Sequence, residues 1–127
     1  LVVATWLSKN DKVAWVNYAG LPDNPYNALK KKISPKGAGA VFTFGLKGGY
    51  EAGVRFIEGL QFVSHLANIG DAKSLVIHPA STTHHRMDDA ALAQAGITPG
   101  TVRLSIGLEH PDDLLEDLSR ALRASQK

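Results

Sequence analysis

The chain has 127 residues, 44% of them hydrophobic and 20% charged, a balance that supports one folded domain with a real core and excludes wholesale disorder. Fourteen Lys and Arg against twelve Asp and Glu leave a formal charge of only +2, which gives no electrostatic case for nucleic acid as the main partner. There is no cysteine, so disulfides, thiol catalysis and Cys-based zinc sites are excluded, and no apolar run approaches the ~18 residues that a membrane span needs.

The sequence opens on Leu1-Val2-Val3-Ala4-Thr5-Trp6-Leu7, with Val2, Val3, Trp6 and Leu7 at helical spacing over residues 2–9. It has neither an initiator methionine nor the basic segment and cleavage site of a signal peptide. A helix already under way at residue 1 predicts a single domain, residues 1–127, that is a piece of a longer protein; a processed chain is the competing explanation. Lys12–Tyr18 suits a short strand. Two prolines, Pro22 and Pro25, mark a loop, and Asn24 or Asp23 is placed to cap a helix running from Tyr26 to about Lys32. Lys30-Lys31-Lys32 reads as the solvated end of that helix, with phosphate binding as the rival.

Ala40–Leu46 is aromatic and β-branched, the clearest strand. Tyr50 to about Gln61 carries Val54, Phe56, Ile57 and Leu60 at helical spacing. Phe62–Ile69 and Lys73–His78 are short strand candidates on either side of Gly70-Asp71, and Pro79–Met87 is an irregular polar loop. A short helix over Ala90–Ala95 stops at Gly96. Thr101–Ile106 alternates Val102, Leu104 and Ile106 with Arg103 and Ser105, a strand with one polar face. Pro111, Asp112 and Asp113 open a final amphipathic helix bearing Leu114, Leu115, Leu118 and Leu122. The order α-β-α-β-α-β-β-α-β-α predicts an α+β fold: a small mixed sheet of four or five short strands with helices mostly on one face.

Few residues carry chemistry on their own. Gly45-Leu46-Lys47-Gly48-Gly49 follows a strand and precedes a helix, which suits either a phosphate cradle or a plain turn. It matches neither the dinucleotide nor the P-loop spacing. His78, His84 and His85 lie within eight residues, a weak pattern for a metal, and no orienting carboxylate accompanies Ser81-Thr82-Thr83 and His84 as nucleophile and base. Arg103 stands out because a guanidinium on an interior strand needs an anionic partner. That partner is either a carboxylate of the fold or the carboxylate of a substrate held by a bidentate clamp.

Taken together, several segments carry a resemblance. They are Trp15-Val16-Asn17-Tyr18-Ala19-Gly20-Leu21, Gly39–Gly45, Lys47–Gly53, Leu66–Leu75, His78-Pro79-Ala80-Ser81-Thr82-Thr83-His84 and Arg103-Leu104-Ser105-Ile106-Gly107-Leu108-Glu109. In this order they resemble the C-terminal domain of the O-acetylhomoserine sulfhydrylases, pyridoxal-phosphate enzymes of cysteine and methionine metabolism. The resemblance covers essentially the whole chain. It implies the C-terminal fold of a fold-type I enzyme, a cytoplasmic location, and a homotetrameric parent in which this domain meets its own large cofactor domain and sister subunits.

The implied activity belongs to the parent: the acetate of O-acetylhomoserine is exchanged for sulfide, giving homocysteine. By the resemblance, Arg103 binds the α-carboxylate of the amino-acid substrate, Asn68 also contacts that carboxylate, and Thr83 supports the corner. Asn68 stands where the related lyases have serine, which favours a sulfhydrylase over a γ-lyase or γ-synthase. A forked cation with an amide would fix a carboxylate and leave the α-amino group free for the cofactor. The family's Ser-x-Thr-Lys motif, which bears the Schiff-base lysine, is absent from this sequence. The expectation is therefore pyridoxal phosphate in the full-length parent, none on this chain, and no activity from this chain alone. The alternatives are a methionine γ-lyase or cystathionine γ-synthase type of parent, or a stand-alone regulatory domain that binds a small molecule.

Overall fold

In a computed structural model describing residues 1–127, a five-stranded sheet forms the spine. From edge to edge it runs β1 (Val13–Asn17), β2 (Val41–Leu46), β5 (Thr101–Ser105), β4 (Leu75–Ile77) and β3 (Ser64–His65). All neighbours are antiparallel except β3 and β4, which are parallel, so the sheet is mixed. The central strand β5 pairs Thr101, Arg103 and Ser105 with Gly45, Thr43 and Val41 of β2, and Arg103 and Ser105 with Ile77 and Leu75 of β4.

Strand periodicity then sorts the side chains onto two faces. Phe42, Phe44, Leu46, Val76, Val102 and Leu104 share one face and one apolar cluster. Three helices cover it: α1 (Val2–Ser8), α3 (Gly49–Gly59) and α5 (Pro111–Ser125). Val3, Leu7, Ala52, Phe56, Leu114, Leu118 and Leu122 come from them. Phe44 and Phe56 meet edge to face with centroids 5.6 Å apart, and each fully buried ring contributes about 1.5–3 kcal/mol. Two further helices, α2 (Asn27–Ile33) and α4 (Asp89–Gln94), each bury a single residue, Asn27 and Leu92.

Helices α3 and α5 pack most closely where α3 ends. Gly59 lies against Ala121 and Ala124, where a Cβ would come within about 3 Å of the Ala124 methyl. Beyond Gly59 the backbone needs new partners, and Asp117 of α5 supplies them. This carboxylate is 2% exposed. Its Oδ1 accepts from the Gln61 N–H, and its Oδ2 from the N–H groups of Phe62 and Val63, all at 2.9 Å. Arg120 closes the arrangement with a 2.9 Å ion pair to Oδ1. At the far end of α5, Arg55 donates two hydrogen bonds to the Ser125 carbonyl, which extends the helix three residues past Leu122.

The ten elements expected from the sequence are all present, with an added 3-10 turn over Pro79–Ser81. Four details differ. Val2 is exposed and Ala4 takes its place on the buried face of α1. Helix α2 starts one residue late because the Asn24 side chain accepts from Tyr26 N–H and closes a local turn first. The buried side of α3 is Ala52, Gly53 and Phe56, with Val54 and Ile57 only half-buried. Strand β3 shrinks from an expected Phe62–Ile69 to two residues. Its first amides are bound by Asp117, and Asn68–Asp71 turns on its own side-chain hydrogen bonds.

Asp117→Ala leaves three buried amides and Arg120 without their acceptor, and is expected to cost about 3–5 kcal/mol. Asp117→Asn keeps an acceptor oxygen and should cost about 1–3 kcal/mol. Denaturant unfolding of the two variants checks this; a loss below about 1 kcal/mol for the alanine would contradict the assignment.

Candidate functional site

The face of the sheet turned away from α3 and α5 has a different chemistry. Trp15, Asn17, Thr43, Gly45, Thr101, Arg103, Ser105, Leu75 and Ile77 all project to it by register. Trp15 lies across Gly45, where any Cβ would collide with the indole. Arg103 is at the centre, half-buried between Thr43 and Ile77. It makes no ion pair; the chain's salt bridges involve Lys12, His110 and Arg120 only. Ser105, two residues along the same face, is 2% exposed and holds the one buried side-chain atom with no hydrogen-bond partner. This face of β5 thus carries two polar groups that the chain itself does not satisfy.

The corner beside β5 is built from two loops. In one, His78 directly follows β4 and is fully buried. Its Nε2 faces the Pro99 carbonyl at 2.6 Å and its Nδ1 faces Ser81 Oγ at 2.8 Å. A carbonyl only accepts, so Nε2 carries the proton, and the Ser81 hydroxyl donates to Nδ1. Gly53 lets the ring press against α3, since a Cβ there would meet the imidazole, and Tyr50 packs over it at 5.3 Å. Thr82 Oγ1 donates to the His78 carbonyl at 2.8 Å. Burial holds the His78 pKa below its ordinary value of 6.5.

In the other loop, Glu109 binds Ser74 twice: the Ser74 N–H donates to Oε1 at 2.6 Å and the Ser74 hydroxyl to Oε2 at 2.7 Å. The Gly107 N–H donates to Ser74 Oγ at 2.9 Å, and the Leu108 N–H to the Ala72 carbonyl at 2.8 Å. Only glycine allows this approach, because a Cβ at Gly107 would overlap the Ala72 carbonyl. Burial pushes the Glu109 carboxyl up, but the two Ser74 hydrogen bonds outweigh it and hold the pKa below its usual value.

The sequence-derived site residues fall as follows. Arg103 is on the central strand, as its alternation predicts. Asn68 is exposed in the turn after β3, two strands over from β5. Its Oδ1 accepts from Ile69 N–H at 2.8 Å, and its Nδ2 lies 3.5 Å from Asp71 Oδ2. Thr83 is exposed too, with its hydroxyl 2.8 Å from His84 Nδ1, and the hydrogen bond to the β4 corner comes instead from Thr82. His78, His84 and His85 do not converge: His78 is used inside the fold, and His85 Nδ1 bonds the Thr82 carbonyl. At Gly45–Gly49 the Leu46 and Lys47 amides are bound to the Gly100 and Lys12 carbonyls, and Gly48 and Gly49 take positive φ, so the segment is a turn. Lys30–Lys32 form the solvated last turn of α2. Reasoning from sequence missed Ser74, Ser81, Glu109 and Asp117, whose partners lie at separations that no local pattern reveals, Ser81 excepted.

The lysines are all exposed or half-buried, and none lies on β5 or its neighbours β2 and β4. An apolar hollow of about 320 Å³, lined by Val3, Tyr18, Phe42, Ile106 and Leu114 among others, lies on the helix-covered side.

An α+β domain with an unanswered arginine on its central strand matches one family along nearly its full length. Residues 1–123 match the Cys/Met metabolism PLP-dependent enzymes, and the chain belongs to that family. It is 54% identical over 122 residues to O-acetyl-L-homoserine sulfhydrylase 1 of Thermus thermophilus, covering 96% of this chain and 29% of the relative. It is 50% identical to the O-acetyl-L-homoserine sulfhydrylase of Corynebacterium glutamicum, with 96% and 28% covered. Among solved structures, a putative O-acetylhomoserine (thiol)-lyase of Campylobacter jejuni containing a pyridoxyl-lysine superposes with a TM-score of 0.87 at 43% identity, over 95% of this chain and 29% of that one. Cystathionine gamma synthase of Xanthomonas oryzae in complex with cystathionine superposes at 0.88 and 39% identity, over 98% and 32%. The chain thus spans under a third of the length of these relatives.

The state of His78 sets a pH dependence. Unfolded histidine takes up its proton near pH 6.5, whereas the buried ring does so only at lower pH. The unfolded state therefore gains protons first on acidification, and stability is full above about pH 6.5 and falls below it. Melting temperatures at pH 7.5 and 5.5 should show this drop, and His78→Gln should lower stability at both while shrinking the difference. An equal pH drop in the variant would contradict the role given to His78.

Proposed function

We propose that this chain is the substrate-carboxylate-binding domain of a pyridoxal-phosphate-dependent O-acetylhomoserine sulfhydrylase, which converts O-acetylhomoserine and sulfide to homocysteine and acetate. One observation carries the reading: Arg103 is held half-buried on the central strand with no carboxylate in the chain to pair with. A substrate α-carboxylate matches the fork of the guanidinium bidentately. In this reading Arg103 is the clamp, Asn68 turns its amide to the same carboxylate once the domain is assembled with the rest of the enzyme, and Thr83 supports the corner. Pyridoxal phosphate, held by a lysine outside residues 1–127, supplies the electron sink at the substrate's α-carbon. The chain alone then holds no cofactor and no activity. The sheet face bearing Arg103 turns toward its own large domain, with sister subunits completing a cytoplasmic homotetramer.

The fold does not separate this reading from a cystathionine γ-synthase, since both solved relatives superpose equally well. Identities of 54% and 50% to named sulfhydrylases favour the first, as does Asn68.

In the full-length enzyme, Arg103→Ala removes charge-assisted hydrogen bonds amounting to about 1.5–3 kcal/mol, or roughly 10- to 150-fold in KM for O-acetylhomoserine. Arg103→Lys keeps the charge without the fork and should recover part of this. Contact in both ground and transition states means KM moves more than kcat. Steady-state kinetics beside melting temperatures decides: an unchanged KM in a destabilised Arg103→Ala enzyme ends the clamp reading.

A further inference from the structure

Arg103 and Asn68 come from segments about 35 positions apart, separated in the sheet by β4. Something has to fix one against the other. The β4–β5 ladder ends at the pair Leu75 and Ser105. Past it, the chain before β4 and the chain after β5 are joined by side-chain chemistry. Glu109 takes both the N–H and the hydroxyl of Ser74, Ser74 in turn takes the Gly107 N–H, and Leu108 N–H reaches the Ala72 carbonyl. Three of these four hydrogen bonds run through Ser74, and the two to Glu109 are short and charge-assisted. The segment so fastened is the base of the Asn68–Asp71 turn, whose tip is closed by Asp71 accepting from Lys73 N–H at 2.9 Å. Bare Gly107 makes the close approach possible.

We propose that Glu109 is a positioning residue for the substrate-carboxylate site: by gripping Ser74 it sets the turn that bears Asn68 against the strand that bears Arg103. The proposal rests on the carboxylate-binding reading of Arg103. Glu109 does not touch the substrate. It acts through Ser74 on where the Asn68 turn stands, and a shift of about an ångström in such a group is enough to weaken binding many-fold.

The test uses the full-length holoenzyme. Glu109→Gln retains the shape and one acceptor but cannot accept from both Ser74 donors. Ser74→Ala removes the hydroxyl link while leaving Glu109 intact. Both variants are expected to raise KM for O-acetylhomoserine roughly 5- to 20-fold, with kcat and KM for sulfide within about twofold. Arg103→Lys in the same assay separates the two ideas. If Arg103→Lys raises KM for O-acetylhomoserine and neither Glu109→Gln nor Ser74→Ala does, the positioning role is overturned and the clamp stands. If none of the three raises it, both are overturned. A uniform loss of activity that tracks a lowered melting temperature, with all KM values unchanged, also overturns the positioning role.

Discussion

A half-buried guanidinium on the central strand, with no carboxylate of the chain to answer it, is the constraint around which the domain is arranged. A cation in that position is tolerated only if a matching anion arrives or water reaches it. Everything on the other face of the same strand is dry: Val102 and Leu104 are fully buried under α3 and α5. The strand thus divides two environments with a period of two residues, and the helices that seal one face hold the backbone that aims Arg103 into the other. Arginine suits this place because its planar fork recognises a carboxylate directionally.

Rigidity around that strand comes from charged groups that bind backbone. Asp117 takes three consecutive amides where α3 ends, Glu109 takes Ser74 where β4 begins, and Arg55 takes the Ser125 carbonyl at the end of α5. Each sits where regular structure stops and leaves donors or acceptors open. His78 does the same in neutral form, tying the end of β4 to Pro99 just ahead of β5. Leu66, Ile69 and Leu108 are exposed apolar residues in the segments that Glu109 and Ser74 join. Apolar surface of that kind is what a domain presents where another part of a protein packs.

Much of this was legible in the sequence. The alternation of Val102 and Leu104 with Arg103 and Ser105 placed the guanidinium on a polar strand face, and β2 was plain from Val41, Phe42 and Phe44. What stayed hidden depends on pairings across the chain. Asp117 reads as a solvated helix acid, because its partners at 61–63 are more than fifty residues away and are backbone. Glu109 follows a strand in a motif that points to Arg103, so its grip on Ser74, 35 positions earlier, is invisible to any local pattern. His78 reads in the sequence as one of three nearby histidines, and its burial against Gly53 is a packing fact that only the fold provides. The strand over Phe62–Ile69 failed for the same reason: the amides that would have continued the ladder are claimed by a carboxylate on another helix.

The central claim is that Arg103 meets a substrate carboxylate while the cofactor is held elsewhere in the enzyme. A crystal structure of the full-length protein with pyridoxal phosphate and an amino-acid substrate or product bound tests both parts at once. The account predicts two guanidinium nitrogens of Arg103 within about 3 Å of the α-carboxylate oxygens, and the cofactor's lysine outside residues 1–127. A carboxylate held by other groups while Arg103 pairs with an acid of the large domain, or a cofactor linked to a lysine of this chain, would contradict it.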